Sequence, residues 1–235
     1  DEKDMRLIYA GWHHLALGAA AKMADALGKP EESAQYHELA GQVSAAFNLC
    51  WDGSAYRHPS YTGDTDDRVQ ALAVISGIAG QEKYDALYLT FREHENASPY
   101  MEKYVMEALC RIGHPEYAFE RMKRRFAPMV NDPERSTLFE GWDIGNPKYG
   151  GGTTNHAWSG GPLTVIASEI CGIRPLKPGF TEFEIAPVIV GEGKSLTRDK
   201  LLGNWSISFQ TVSGTISVSY RTASGRSTMK ISVPE

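Results

Sequence analysis

Residues 98–130 read SPYMEKYVMEALCRIGHPEYAFERMKRRFAPMV, and the punctuation of this stretch decides the fold. Ser98 stands where a helix wants its N-cap, Pro99 takes the first helical position and Gly113 falls just past the end. Pro115 then opens a second helix with Glu116 in its first turn, where the helix dipole favours an acid. A connection this short forces the two helices antiparallel. The same grammar recurs at Gly28-Lys29-Pro30-Glu31 and at Gly80-Gln81-Glu82. The predicted unit is a helical hairpin, and it repeats.

Working outward, MRLIYAGWHHLALGAAAKMADALG places Leu7, Ile8, Trp12, Leu15, Ala19, Met23 and Leu27 at helical spacing before Gly28. Further helices are read in PEESAQYHELAGQVSAAFNLCW, TDDRVQALAVISGIAG, EKYDALYLTFREH and PLTVIASEICG. Between them lie two long joints, DGSAYRHPSYTGDTD and STLFEGWDIGNPKYGGGTTNHAWSGGP. Short turns at one end and long loops at the other suit a helical toroid whose site lies on the long-loop face. The spacing is too irregular for a solenoid repeat. After Gly172 the pattern changes. RPLKPGF reads as a connector, and TEFEIAPVIV, NWSISFQTV, GTISVSYRT and STMKISVPE alternate with period two, as half-buried antiparallel strands do. The expected organisation is a helical part, 1–174, followed by a small β-sandwich, 175–235.

The 235 residues carry a net charge of −5, which gives no support to nucleic-acid binding. No apolar run approaches the roughly 20 residues that span a bilayer. The opening DEKDMRLIYAGW reads as a cut from a longer chain, so the missing leader says nothing about compartment. Cys50, Cys110 and Cys171 are odd in number and lack a CxxC, so they read as small buried hydrophobes rather than a disulfide or zinc framework. Asp64, Asp66 and Asp67 lack the spacing of a calcium loop and read as helix caps. His13-His14 lacks an HExxH arrangement. No metal or cofactor is expected.

The loop 136–162 spends glycine freely and so is costly to order, which makes it either an idle linker or the working part. Glu140 leads the candidates. It is either a capping or surface glutamate, or an acid whose proton affinity is raised by water-excluding aromatic neighbours, Phe139 and Trp142. Trp142 and Trp158 are loop aromatics of the kind that stack on the C–H faces of sugars. Asn155 and His156 either bind hydroxyls or tie the loop. Asp143 either orients Glu140 or a substrate hydroxyl, or makes an Asx turn before Gly145.

STLFEGWD, then TNHAWSGGPLTVIASEICGIRPLKPGFTEFEIAPV, resemble the C-terminal part of bacterial α-L-rhamnosidases, a family with a toroid of six helical hairpins followed by a β-sandwich. The family's Thr-x-x-Glu-x-Trp segment is matched by Thr137, Glu140 and Trp142, and its Asn-His pair by Asn155 and His156. The Pro-Gly-Phe at the entry to the sheet is matched by Pro178, Gly179 and Phe180, and the proline that follows by Pro187. The resemblance implies inverting hydrolysis of a terminal α-L-rhamnoside, with Glu140 as general base on the attacking water. Trp142, Asp143, Asn155, His156, Trp158 and Tyr100 would line the sugar pocket. The partner it implies is a carbohydrate, a rhamnose-containing glycan or glycoside, in a periplasmic or extracellular setting. There are two departures. The family's general acid lies upstream of anything present here, and this chain shows seven helical segments where six hairpins need twelve. Phe139 also stands where the family usually has a tryptophan. The chain is therefore expected to be the second half of a toroid, inactive by itself. The rival readings are another six-hairpin glycosidase or uronyl hydrolase, for which the loop offers only Lys148, and a non-catalytic carbohydrate-binding fragment.

Overall fold

A computed structural model describes residues 3–144, 152–188, 204–223 and 226–234. Helices α1 (Met5–Ala26) and α2 (Pro30–Asn48) form the first hairpin. They are followed by α3 (Asp67–Ile75), α4 (Tyr84–Glu93), α5 (Pro99–Arg111), α6 (Pro115–Val130) and the short α7 (Gly161–Val165). Contacts run from α1 to α3, α3 to α5 and α5 to α7, while α2 packs on α1, α4 on α3 and α5, and α6 on α5. The odd-numbered helices thus make an inner layer and the even ones an outer layer. Every residue of α3 is buried, as an inner helix with neighbours on all sides requires.

The inner helices share one direction. Asp4, the N-cap of α1, donates its N–H to Asp66 Oδ2 at 3.2 Å, and Asp66 is the N-cap of α3. Ser98 caps α5 with its side chain accepting from Met101 N, and α7 also starts on this face, next to α5. The short turns at Gly28, Gly77 and Gly113 close the other end, each glycine at positive φ. Residues 49–66, and 131–144 with 152–160, belong to the long loops, and both loops feed the N-terminal ends of inner helices. Among the described residues the hairpins form an arc with its long loops on one face, as the sequence pattern requires.

One ion network joins the layers. Arg121 of outer helix α6 reaches Asp67 Oδ2 of α3 at 2.7 Å and Glu102 Oε1 of α5 at 2.6 Å, all three fully buried. Arg125 also bonds Glu102, its Nη1 donating to Oε2 at 2.6 Å. Asp67 Oδ1 has no hydrogen-bond partner, and burial, with Glu102 adding to it and Arg121 opposing it, pushes its carboxyl up to about 6. So of the three acids read as caps, Asp66 caps, Asp67 is an interlayer ion partner and Asp64 pairs with His94 at 3.3 Å.

The α7 helix continues as a π turn, Ile166–Ile170, where the sequence reads an uninterrupted helix. Next come β1 (Ile173–Pro175) and β2 (Phe183–Ile185), an antiparallel pair, then β3 (Trp205–Thr211), β4 (Gly214–Ala223) and β5 (Arg226–Ser232), a three-stranded antiparallel sheet in that order. The connector RPLKPGF thus begins inside a strand, because Arg174 and Pro175 pair with Glu184 and Phe183. The expected strand TEFEIAPVIV is regular only at 183–185, and its last two residues lie outside the described residues. Ile173, Phe183 and Ile185 from one sheet meet Ile207, Phe209, Ile216 and Val218 from the other, with Cys171 among them. The cysteines are free, and of the three read as buried only Cys171 is fully so, Cys50 and Cys110 being half-buried. Burial raises Cys110 to about 12 and Cys171 to about 11 and pushes Cys50 up as well, so the thiols stay protonated.

Candidate functional site

Leaving α6, the chain turns on Asp132, whose Oδ1 accepts from the N–H groups of Glu134 and Arg135 at 2.9 and 2.8 Å. Phe139 then buries against Phe126 and Met129, with Leu138, Trp142 and Ile144 packed around them. In extended backbone successive side chains alternate, so burying Phe139 turns Glu140 the other way. Glu140 N donates to Thr153 O at 2.9 Å and His156 N to Leu138 O at 2.9 Å, while the Thr137 hydroxyl donates to Thr154 O. Two strands of loop are thereby held side by side.

Across that ladder the Glu140 carboxylate is gripped on one side only. Its Oε2 accepts from the backbone N–H of Thr153 at 2.9 Å and from the Thr153 hydroxyl at 3.2 Å. Thr153 Oγ1 also lies 2.7 Å from His156 Nδ1, which is itself 3.7 Å from Oε2. Among the described residues nothing bonds Oε1. Among the described residues no second carboxylate joins these hydrogen bonds.

Trp158 completes the cluster. Its indole N–H donates to Glu140 O at 3.1 Å, and its ring lies 4.1 Å from that of His156 and 5.4 Å from that of Tyr100. From Tyr100 the aromatic surface runs on to Tyr104 at 5.5 Å, and to Trp12 of α1, 4.9 Å from Tyr104. Trp158 is 41% exposed, which leaves its face open to a ligand. Gly161 lets α7 start this close to α5, because a Cβ there would stand 2.7 Å from Lys103 Cβ.

The two aromatics that flank Glu140 in sequence do different work from that expected of them. Phe139 is 7% exposed inside the small core beside α6. Trp142 donates its indole N–H to Ala97 O at 2.8 Å and packs edge-on against Phe126, with the Arg125 guanidinium 4.5 Å from its ring. Both anchor the root of the loop instead of walling the carboxylate. Asp143 and Asn155 are exposed, and neither bonds to Glu140, Thr153 or His156. Lys148 lies outside the described residues. Sequence reasoning missed Thr153, although it stands two residues before the Asn-His pair, and it missed Trp12 and Tyr104, which extend the aromatic surface from Tyr100. Those two are linked only by the way α1 and α5 meet. Among the described residues no group of His, Cys, Asp and Glu could hold a metal ion, and no helix is long and apolar enough to cross a membrane.

Comparison with known proteins gives two family matches. Residues 1–170 match the bacterial α-L-rhamnosidase six-hairpin glycosidase domain, and residues 172–235 match the bacterial α-L-rhamnosidase C-terminal domain. Among curated proteins no relative is found. Three solved structures are similar. A Streptomyces avermitilis α-L-rhamnosidase complexed with L-rhamnose is 23% identical with TM-score 0.78 over 100% of this chain. A GH78-family rhamnosidase of Bacillus sp. GL1 is 21% identical with TM-score 0.73 over 92%. An α-L-rhamnosidase from Dictyoglumus thermophilum is 21% identical with TM-score 0.75 over 94%. This chain spans 23%, 24% and 25% of their respective lengths.

Proposed function

Because the chain belongs to the bacterial α-L-rhamnosidases, with a helical part of the six-hairpin type and the family's C-terminal β part, we propose that it carries the general-base half of a site that hydrolyses terminal α-L-rhamnosides with inversion. The helical part, 1–174, holds the site, and 175–235 is its β companion. In an inverting site a carboxylate takes a proton from water while the water oxygen attacks the anomeric carbon. A second carboxyl, about 6.5–9.5 Å from the first, protonates the departing oxygen. The observation that carries this reading is the one-sided grip on Glu140. Thr153 occupies Oε2 and fixes the carboxylate's direction, which leaves Oε1 for the water. His156, Trp158 and Tyr100 are the sugar contacts, one polar and two aromatic. Trp142 holds the loop that carries the base. The acid belongs to a part of the polypeptide outside these residues, so the chain alone is inactive.

The test is Glu140→Gln in the full-length polypeptide that carries this chain. General bases contribute roughly 10²–10⁴-fold, so kcat on an aryl α-L-rhamnoside is expected to fall by about that factor with KM little changed. Retention of most of the activity overturns the base assignment.

A further inference from the structure

Thr153 has one hydroxyl proton and two groups within reach of it, Glu140 Oε2 at 3.2 Å and His156 Nδ1 at 2.7 Å. An ionised carboxylate only accepts. If the hydroxyl donated to Nδ1, the lone pairs of Oγ1 would face Oε2 at 3.2 Å, and the bare Nδ1 would face the same oxygen at 3.7 Å. Both contacts would be repulsive. In the opposite order Nδ1–H donates to Oγ1 and Oγ1–H donates to Oε2, and every close pair is attractive. The backbone bonds from Glu140 to Thr153 and from His156 to Leu138 hold the three residues in register.

We propose that Thr153 is a positioning residue that locks His156 in its Nδ1–H tautomer, so that Nε2 accepts a hydrogen bond from a hydroxyl of the bound sugar. The inference rests on the reading of Glu140 as the ionised base. Nε2 has no protein partner among the described residues, and the imidazole lies against the open ring of Trp158. The site then presents two acceptors in one small space, Oε1 for water and Nε2 for substrate. A ligand must meet them with donors. A neutral, hydroxyl-bearing pyranoside does so, whereas a uronate carboxylate brings only acceptors and is repelled. Thr153 is thereby a specificity determinant, because it sets the polarity of a group it does not itself share with the sugar.

Selective ¹⁵N-histidine NMR on the full-length protein at neutral pH, with His156 assigned by its loss in His156→Asn, reads the tautomer directly. A protonated Nδ1 with a pyridine-type Nε2 is expected. A protonated Nε2, in either the neutral or the doubly protonated ring, overturns the proposal. Thr153→Val, which keeps the shape and removes the hydroxyl, is expected to shift His156 towards the Nε2–H form. It should also lower kcat/KM on a rhamnoside by about tenfold, the worth of one hydrogen bond. Thr153→Ser is expected to restore both. A valine variant with unchanged tautomer and kinetics sinks the inference while an inactive Glu140→Gln leaves the base reading standing. An active Glu140→Gln overturns the base reading, while the tautomer, which needs only that Glu140 is ionised, is still decided by the NMR signature, since that does not depend on turnover.

Discussion

Asp67 is wholly out of water, with one oxygen on Arg121 and the other on nothing. Burial is the largest influence on it and raises its carboxyl from 3.8 to about 6. The folded state therefore holds this proton across a pH range in which the unfolded chain has released it. The stability that follows is fully present below pH 3.8 and is lost as pH rises through about 6. Asp67→Asn removes the titration and keeps the shape. Thermal unfolding between pH 4.5 and 7.5 is expected to show the advantage of the native protein over this variant shrinking as pH rises. An advantage that stays level with pH contradicts the assignment. Residues such as Asp67 also mark what sequence reading reaches at this scale. Glu140, His156 and Trp158 were legible as candidates, which the fold brings together, because an acid, an imidazole and an indole on glycine-rich backbone have few structural reasons to be there. Trp142 was legible as important, but its contacts come from two places no local pattern links, Ala97 in the joint before α5 and Arg125 and Phe126 in α6. Thr153 carries no chemistry of its own, and its role exists only when the Glu140 and His156 backbones are held on either side of it.

At the scale of elements, two glycines separate two kinds of constraint. Gly113 ends α5 at φ +90° with nothing within 4 Å of where a Cβ would stand, so its demand is purely conformational. Gly161 starts α7 at an ordinary helical φ of −48°, but its Cβ would collide with Lys103 Cβ at 2.7 Å. Gly113→Ala is expected to cost about 1–2 kcal/mol in urea unfolding, the left-handed penalty of an L residue, and to leave KM unchanged. Gly161→Ala is expected to cost about 1–3 kcal/mol as overpacking, and to raise KM as well, because pushing α7 off α5 moves Trp158 relative to Tyr100. Equal KM values for the two variants would falsify the claim that the α5–α7 approach sets the aromatic surface. Capping chemistry made the helix ends readable, since Ser98, Pro99 and Gly113 each act within a turn of themselves. The π turn after α7 and the short strand β1 were not readable. The first is a shift of hydrogen bonding to Cys171 N→Ile166 O, and the second depends on pairing with β2 across the Pro178-Gly179-Phe180 turn.

For the whole molecule, direction matters more than helix count. Hairpins with short turns on one end place the inner N-termini, and so the long loops, on one face, which is why loop length in the sequence pointed to the face that carries the candidate site. What loop length could not convey is how the layers are joined, since Arg121 links α3, α5 and α6 through residues with no shared local pattern. On the inverting reading proposed above, the acid stands about 6.5–9.5 Å from Glu140, which leaves room for a water beside the sugar. That reading predicts that the full-length polypeptide releases β-L-rhamnopyranose first from an α-L-rhamnoside, before mutarotation. Proton NMR of the anomeric signals in the first minutes of reaction checks it. If the α anomer appears first, the two carboxyls stand only about 5–5.5 Å apart and Glu140 acts on carbon rather than on water. In that case Oε1, the oxygen Thr153 leaves open, becomes the nucleophile, and the tether on Oε2 keeps its role of aiming it.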